Sequence, residues 1–280
     1  MTLDIDHLRQ WVGRQQRDAE LLTPTLVRQF NATFDRESAV AMGDTAPPLI
    51  HFCLAQPVVP GAGLGADGHP ARGDFLPPVP LPRRMWAGGE LRFHDAIRIG
   101  EMVSRHSTIR DVQLKQGRTG PLCFVTVDHE VTSDGRAVLS ERQDIVYRDA
   151  AAPGTRAALR APAPALPGGD SRRVEPTASL LFRYSALTFN GHRIHYDKPY
   201  ATGVEGYPGL VVHGPLQATL LCQLAVDLKG SAPRMFRFRS LSPLFDDADF
   251  TVNAEVEGSG LKLWTAGESG PAAMEAEAQW

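Results

Sequence analysis

The chain has 280 residues, 42% of them hydrophobic and 22% charged, with a formal net charge of -3. Such a composition excludes a disordered chain, and at roughly 100–200 residues per domain the length suggests about two domains. Near-neutral charge gives no electrostatic reason to expect a nucleic-acid partner, because phosphate binding needs clustered Lys and Arg. The N-terminal stretch MTLDIDHLRQWVGRQQ lacks the apolar core of a secretory signal. No apolar run approaches the ~18 residues needed to cross a bilayer, so no membrane partner and a cytoplasmic location are expected. Cys53, Cys123 and Cys222 are scattered in apolar surroundings. An odd, dispersed set reads as buried reduced thiols rather than disulfides or a metal site.

In chain order, residues 3–19 read as a polar helix. Thr23 followed by Pro24 is a helix start, and the spacing of Leu26, Val27, Phe30 and Phe34 predicts a helix over 24–35. Residues 44–83 are rich in proline and glycine, with interspersed apolar residues such as Phe52, Val58, Phe75 and Val79. The segment reads as a long loop packed on the domain as a rim or lid. From 87 to 148 four alternating or β-branched runs are separated by GRTG (117–120) and SDGR (133–136), the signals of an antiparallel meander.

The Ala-, Pro- and Gly-rich residues 151–170 read as a linker between an N-terminal domain, 1–150, and a C-terminal domain, 171–280. SLLFRYSALTF then reads as a strand-like run. GPLQATLLCQLAVDLKG places Leu216, Leu220, Leu221, Leu224 and Leu228 on one helical face, and Gly230 stops that helix. RMFRFRSLSP, DFTVNAEVEG and LKLWTAG are strands, with a tight GSG turn at 258–260, and AAMEAEAQW alternates and can close the sheet. Each half is thus a helix followed by an antiparallel meander. The fold class is α+β, and a sheet curved around a long apolar helix buries both elements.

The densest polar cluster runs from Tyr184 to Asp197 and contains Asn190, His192, Arg193 and His195; His213, Gly214 and Pro215 follow at the start of the leucine-rich helix. A helix start leaves N–H groups unpaired and carries partial positive charge. Gly214 has no side chain to keep a ligand oxygen from its N–H, so a thioester carbonyl aimed there gains a stabilised enolate. A loop histidine and an amide beside it complete the set needed for adding water. The bland alternatives are that Gly-Pro is helix punctuation and that the histidines are structural. Metal ligation by His192 and His195 lacks a Cys or carboxylate partner at zinc spacing, so no metal is expected.

These residues resemble the MaoC-like R-specific enoyl-CoA hydratases, which carry Tyr-x5-Asp-x4-His, an Asp two residues later and a downstream His-Gly. The runs RMWAGGELRFHDAIRIG, ERQDIVYR, LFRYSALTFNGHRIHYD and GYPGLVVHGPLQATLL are similar to the two-domain branch that holds mesaconyl-CoA and itaconyl-CoA hydratases and mitochondrial-type 3-hydroxyacyl thioester dehydratases. The resemblance implies a tandem, double hot-dog fold and reversible hydration of an α,β-unsaturated acyl-CoA, with no cofactor. It matches Asn190 and His195 to the catalytic dyad and Gly214 to the oxyanion donor. Asn190 stands where the wider family has Asp. An amide cannot act as a base, so proton transfer moves to His195. The alternatives are a dehydratase of fatty-acid metabolism, a thioesterase and a non-catalytic acyl-thioester binding module. A thioesterase wants a carboxylate on the helix, where only Asp227, at the far end, is available.

Tyr184, Arg183, Arg193, His213 and Arg84 are candidate substrate-binding residues. Arg183 and Arg193 flank the motif, and Arg83 and Arg84 end the proline-rich loop. One of these arginines can pair with a second carboxylate on the acyl group, which suits a mesaconyl or itaconyl unit; the alternative is CoA phosphate. The N-terminal half lacks the Tyr-x5-Asn/Asp-x4-His element and is expected to be non-catalytic. Hot-dog domains pair back to back, so two in one chain can pair internally, and a homodimer is also allowed.

Overall fold

The computed structural model of the chain describes residues 3–117, 120–149 and 168–280. Nearly all of the expected linker, and the middle of the GRTG turn, lie outside the described residues.

The N-terminal half contains α1 (Ile5–Arg9), β1 (Gln15–Leu21), α2 (Pro24–Thr33), β2 (Arg83–Phe93), β3 (Met102–Gly117), β4 (Gly120–Ser133) and β5 (Arg136–Arg148). The C-terminal half adds β6 (Asp170–Val174), α3 (Ala178–Leu187), α4 (Lys198–Gly203), α5 (Gly214–Lys229), β7 (Met235–Ser240), β8 (Phe250–Glu257), β9 (Gly260–Gly267) and β10 (Ala272–Gln279). All ten strands form one sheet, in the order β1-β3-β4-β5-β2-β7-β10-β9-β8-β6. Each half contributes five neighbouring strands, joined by antiparallel pairing of β2 with β7 from Gly88↔Arg239 to Arg92↔Met235.

One expectation at the start of the first meander is corrected. Residues 3–19 are not one helix: the helix ends at Arg9, and Gln15–Leu21 pairs with β3 as an edge strand. The last strand, β10, lies in the sheet between β7 and β9. A second correction matters more for the site. Residues 178–187 form a helix, not a strand. Thr177 caps it by accepting from the Leu180 N–H, and Leu181, Tyr184 and Ser185 face inward at helical spacing.

Helix α5 is the core of the C-terminal half. It starts where His213 leaves extended backbone and Pro215 occupies the first turn, and it stops at Gly230, in the left-handed region at φ 75°. Leu216, Ala218, Leu221, Cys222, Leu224 and Ala225 are buried along it, in one core with Phe236, Phe238, Phe250 and Leu263 from the sheet. In the N-terminal half the shorter α2 buries Val27 and Phe30 in that same core, with a 3-10 turn at Ile50–Cys53 beside them. Phe34, which caps α2, meets Tyr184 of α3 edge-on, with ring centres 6.0 Å apart. The two halves therefore share a core as well as a sheet.

The seam between the halves leaves no room for side chains. A Cβ on Gly88 would lie 2.6 Å from the Phe238 carbonyl oxygen, and one on Gly89 would lie 2.8 Å from that of Arg142. Gly88→Ala should therefore lower the free energy of unfolding by about 1–3 kcal/mol, the usual cost of overpacking, read from the urea midpoint. A midpoint equal to wild type would show that the seam is looser than described.

Candidate active site

The chain turns sharply after α3 because Phe189 takes a left-handed φ of 47°. Asn190 then donates its backbone N–H to the Ser185 carbonyl (2.8 Å), and its Oδ1 accepts from the His192 N–H (3.0 Å). This leaves the Asn190 Nδ2 group as a donor on a half-buried side chain. A 3-10 turn, Arg193–His195, brings His195 to the short extended segment ahead of α5. That segment is fixed from both sides: Val211 N–H donates to Ile194 O (2.9 Å), and Val212 N–H donates to Leu244 O (2.8 Å).

His195 Nδ1 donates to the Val211 carbonyl at 2.7 Å. The carbonyl can only accept, so it places the imidazole proton on Nδ1 and leaves Nε2 with its lone pair. Burial pushes His195 down to about 4, so the ring is neutral at physiological pH. Its face stacks on His213, with centroids 3.7 Å apart and planes at 19°. His213 is fully buried, shares a 2.8 Å hydrogen bond with Ser185 Oγ and is held well below its ordinary value by burial. Gly214 follows as the first residue of α5, where its N–H has no intrahelical acceptor. A Cβ there would meet Ser240 Oγ, Trp86 Cε3 and Met274 Cε at 3.7–3.9 Å, so Gly214 faces a wall drawn from both halves of the chain.

Part of the proline-rich loop packs against the loop that carries His192 and His195. A turn at 64–70, closed by Gly65 N–H to His69 O (2.7 Å), presents Asp67, Gly68 and His69. Gly68, at φ +87°, and Gly191 abut so closely that a Cβ on Gly68 would lie 1.9 Å from Gly191 O. Arg193 N–H donates to Asp67 O (2.9 Å), and His69 packs against His192 with ring centroids 4.2 Å apart. His192 in turn meets His195 edge-on at 5.4 Å. A cleft of about 360 Å³ opens beside Asp67 and Arg83; its lining does not include His195.

The model of the family described as hydroxyacyl-thioester dehydratase type 2 matches residues 49–246. The chain belongs to this family. The mesaconyl-C(4)-CoA hydratase of Chloroflexus aurantiacus is 43% identical over 267 residues, covering 95% of each chain. Among solved structures, HtdX of Mycobacterium tuberculosis superposes with a TM-score of 0.68 at 16% identity, over 95% of this chain and 99% of that one. A second protein of that organism, described as having a double hot-dog fold, gives 0.60 at 12% identity over 95% of each chain. These likenesses show the fold: this member of the dehydratase family is a double hot-dog.

In this dehydratase-family chain the expected substrate-binding residues separate. Tyr184 is fully buried behind His213, its ring edge-on at 5.1 Å and its hydroxyl 3.5 Å from Thr219 Oγ1, so it supports the site from behind. His213 is likewise a buried backing for His195. Arg183 is exposed on α3. Arg193 is bound to Asp197 through Nε (3.0 Å) and Nη2 (2.8 Å), with its guanidinium over Tyr200. Arg83 is paired with Glu205 and lies over Tyr207. Arg84 alone of the four arginines is half-buried without a carboxylate within ion-pair distance among the described residues. Asp227, the one carboxylate of α5, is held by Arg36 and Arg172.

Sequence reading missed Asp67 and His69. With His192 they bring potential metal-ligating atoms within 4.8 Å of one another. The charge of Arg84, however, acts on both imidazoles, which opposes a cation and suits an anion. Burial, then Arg84, pushes His69 down to about 3, and burial takes His192 well below its ordinary value.

These neutral histidines, of which His192, His195 and His213 are buried and His69 is half-buried, tie stability to pH. Each would bind a proton near 6.5 once unfolded, so between 6.5 and about 4 the unfolded chain holds more protons than the folded one. Stability should rise with pH across that window, and the urea midpoint should fall as pH is lowered from 6.5 towards 4. His69→Gln should flatten the slope. A slope unchanged by that substitution contradicts the neutral state of the half-buried His69.

Proposed function

We propose that the chain catalyses reversible addition of water across the C=C bond of a small α,β-unsaturated acyl-CoA, and that the acyl group is a branched dicarboxylyl unit of the mesaconyl kind. The observation that carries the reading is the His195–Val211 hydrogen bond, which leaves a neutral imidazole Nε2 as a base close to the helix start that holds Gly214.

The thioester carbonyl oxygen accepts from the Gly214 N–H. Asn190 Nδ2 donates to a water oxygen, and one water proton points at His195 Nε2. As the water oxygen bonds to Cβ, His195 takes that proton, and the electrons of the C=C bond move into an enolate whose oxygen rests on Gly214 N–H. The protonated His195 then delivers its proton to Cα, and the carbonyl re-forms. Nothing else is consumed, and the same groups run dehydration in reverse. The stacked His213 faces the transient imidazolium with a π surface.

The 43% identity to a mesaconyl-C(4)-CoA hydratase supports the dicarboxylyl choice. The second reading, dehydration of 3-hydroxyacyl thioesters in fatty-acid metabolism, is favoured by the family model and uses the same site. In the proposal residues 171–280 carry catalysis, and residues 1–150 form a non-catalytic half that supplies the lid. A reducing, cytoplasmic setting accords with three cysteines that are all free and buried. Among the described residues no helix is long and apolar enough to cross a membrane.

Loss of the conjugated enoyl-thioester absorbance on mixing with mesaconyl-CoA tests the activity directly. His195→Ala should reduce turnover by at least ~10²-fold in a folded protein. Asn190→Ala should cost less, and Asn190→Asp should keep substantial activity. Near wild-type turnover in His195→Ala would remove the base. Complete loss in Asn190→Asp would show that the site needs a neutral amide.

A single active site per chain follows from the non-catalytic first half. A tight saturated acyl-CoA analogue should therefore saturate at one equivalent per chain in calorimetry; two equivalents contradict the division of labour.

A further inference from the structure

We propose that Arg84 binds the free carboxylate of the acyl group, in a recess that the lid closes with the His69 imidazole. The inference rests on the reading of the chain as a dicarboxylyl-CoA hydratase and assigns the residues that would enforce that choice.

Four observations place the anion there. First, Arg84 and Trp86 are two residues apart in a regular stretch of β2, paired with Tyr147 and Ile145 of β5, so their side chains share a face of the sheet. Trp86 meets Gly214, where the thioester carbonyl is expected. One step of about 7 Å along the strand therefore leads from the thioester end to Arg84. A four-carbon dicarboxylyl unit, extended away from Gly214, carries its second carboxylate in that direction.

Second, the guanidinium has no carboxylate partner of its own, whereas Arg83 and Arg193 beside it do. A partly buried cation gains most from an anion that brings two parallel hydrogen bonds, and Arg matches a carboxylate in that way. Third, Tyr147 lies directly across from Arg84, fully buried, with its hydroxyl in no hydrogen bond of normal geometry. Among the described residues the charged side chains acting on it are Arg84, whose guanidinium also approaches the hydroxyl as a donor, and Arg72, which is spread over its ring and bound to the Val79, Leu81 and Pro82 carbonyls. An anion held by Arg84 can accept from this buried hydroxyl as well. Fourth, the charge of Arg84 reaches His69 on the lid and His192 on the catalytic loop. His69 is itself oriented by Asp67, 3.4 Å from Nδ1. Closing the lid thus walls the guanidinium with an imidazole and removes water, which strengthens the pairing.

CoA phosphate is a poorer occupant. Phosphates run along the protein surface, whereas Arg84 is half-buried and shares its face of the sheet with Trp86 and the fully buried Tyr147.

The experiment compares two four-carbon saturated thioesters, succinyl-CoA and butyryl-CoA, by calorimetry, and mesaconyl-C(4)-CoA with crotonyl-CoA by kcat/KM. In wild type the dicarboxylyl member of each pair should be favoured by about 100-fold, the scale for a desolvated charge pair. Arg84→Met should collapse both ratios to within about tenfold of unity, and Arg84→Lys should restore part of them. His69→Ala should lower them by a smaller factor. Butyryl-CoA binding to Arg84→Met reports that the variant is folded. If that variant binds neither saturated thioester, the lysine variant decides: unchanged ratios there and in His69→Ala overturn the assignment. Ratios unchanged in Arg84→Met also overturn it, as does an equal loss for both members of each pair, which would mark a CoA phosphate contact. Wild type that hydrates crotonyl-CoA but not the dicarboxylyl thioester overturns this inference and leaves the hydratase reading. Wild type that hydrates neither overturns the proposed function as well.

Discussion

The hydrogen bond from His195 Nδ1 to the Val211 carbonyl is the constraint on which the site depends. It fixes the tautomer, aims the free nitrogen, and ties the loop after α3 to the segment that becomes α5. Everything around it serves to keep that bond in one geometry. Val211 is held by Ile194 on one side, and its bridge to Phe245 holds it on the other. His213 backs the ring, and Ser185 holds His213. The ring is buried enough to stay neutral, which is the state a base needs. The cost is a cluster of desolvated imidazoles, tolerated because α5 and the sheet surround it with a shared hydrophobic core.

Both halves of the chain contribute to the proposed site. In the proposed function the C-terminal half carries the base and the helix start. The N-terminal half brings Trp86 against Gly214, Arg84 along the same strand, and the Asp67–His69 turn over the catalytic loop. The β2–β7 seam sets these against each other to within a side chain's width, because two glycines there admit nothing larger. The reciprocal approach of Gly68 and Gly191 does the same for the lid.

Much of the C-terminal half was legible in the sequence, because its signals are local. The leucine spacing of α5, its Gly-Pro start and Gly230 stop, and the hairpin at 258–260 each depend on a few adjacent residues. The same holds for the run from Tyr184 to His195. Other features were hidden for physical reasons. The apolar run 178–187 reads as a strand until its inward residues, Leu181, Tyr184 and Ser185, are seen at helical spacing, and its cap, Thr177, lies outside the apolar run. The edge strand Gln15–Leu21 is polar and mostly exposed, so no apolar alternation marks it. The lid histidine His69 lies more than a hundred residues from His192, and only the tertiary fold brings them together. Register alone separates Arg84 from its neighbour Arg83: one residue along a strand turns the side chain to the other face. Arg83 finds Glu205, and Arg84 shares its face of the strand with Trp86 and the facing Tyr147.

The most direct test of the account is the protonation state of His195 in the intact, unliganded protein. Long-range proton–nitrogen correlation NMR, with His195 assigned by comparison with His195→Gln, distinguishes the two neutral tautomers and the imidazolium. The ring should be neutral and protonated at Nδ1 at neutral pH, becoming cationic only as the pH approaches about 4. An imidazolium at neutral pH, or a proton residing on Nε2, would contradict it.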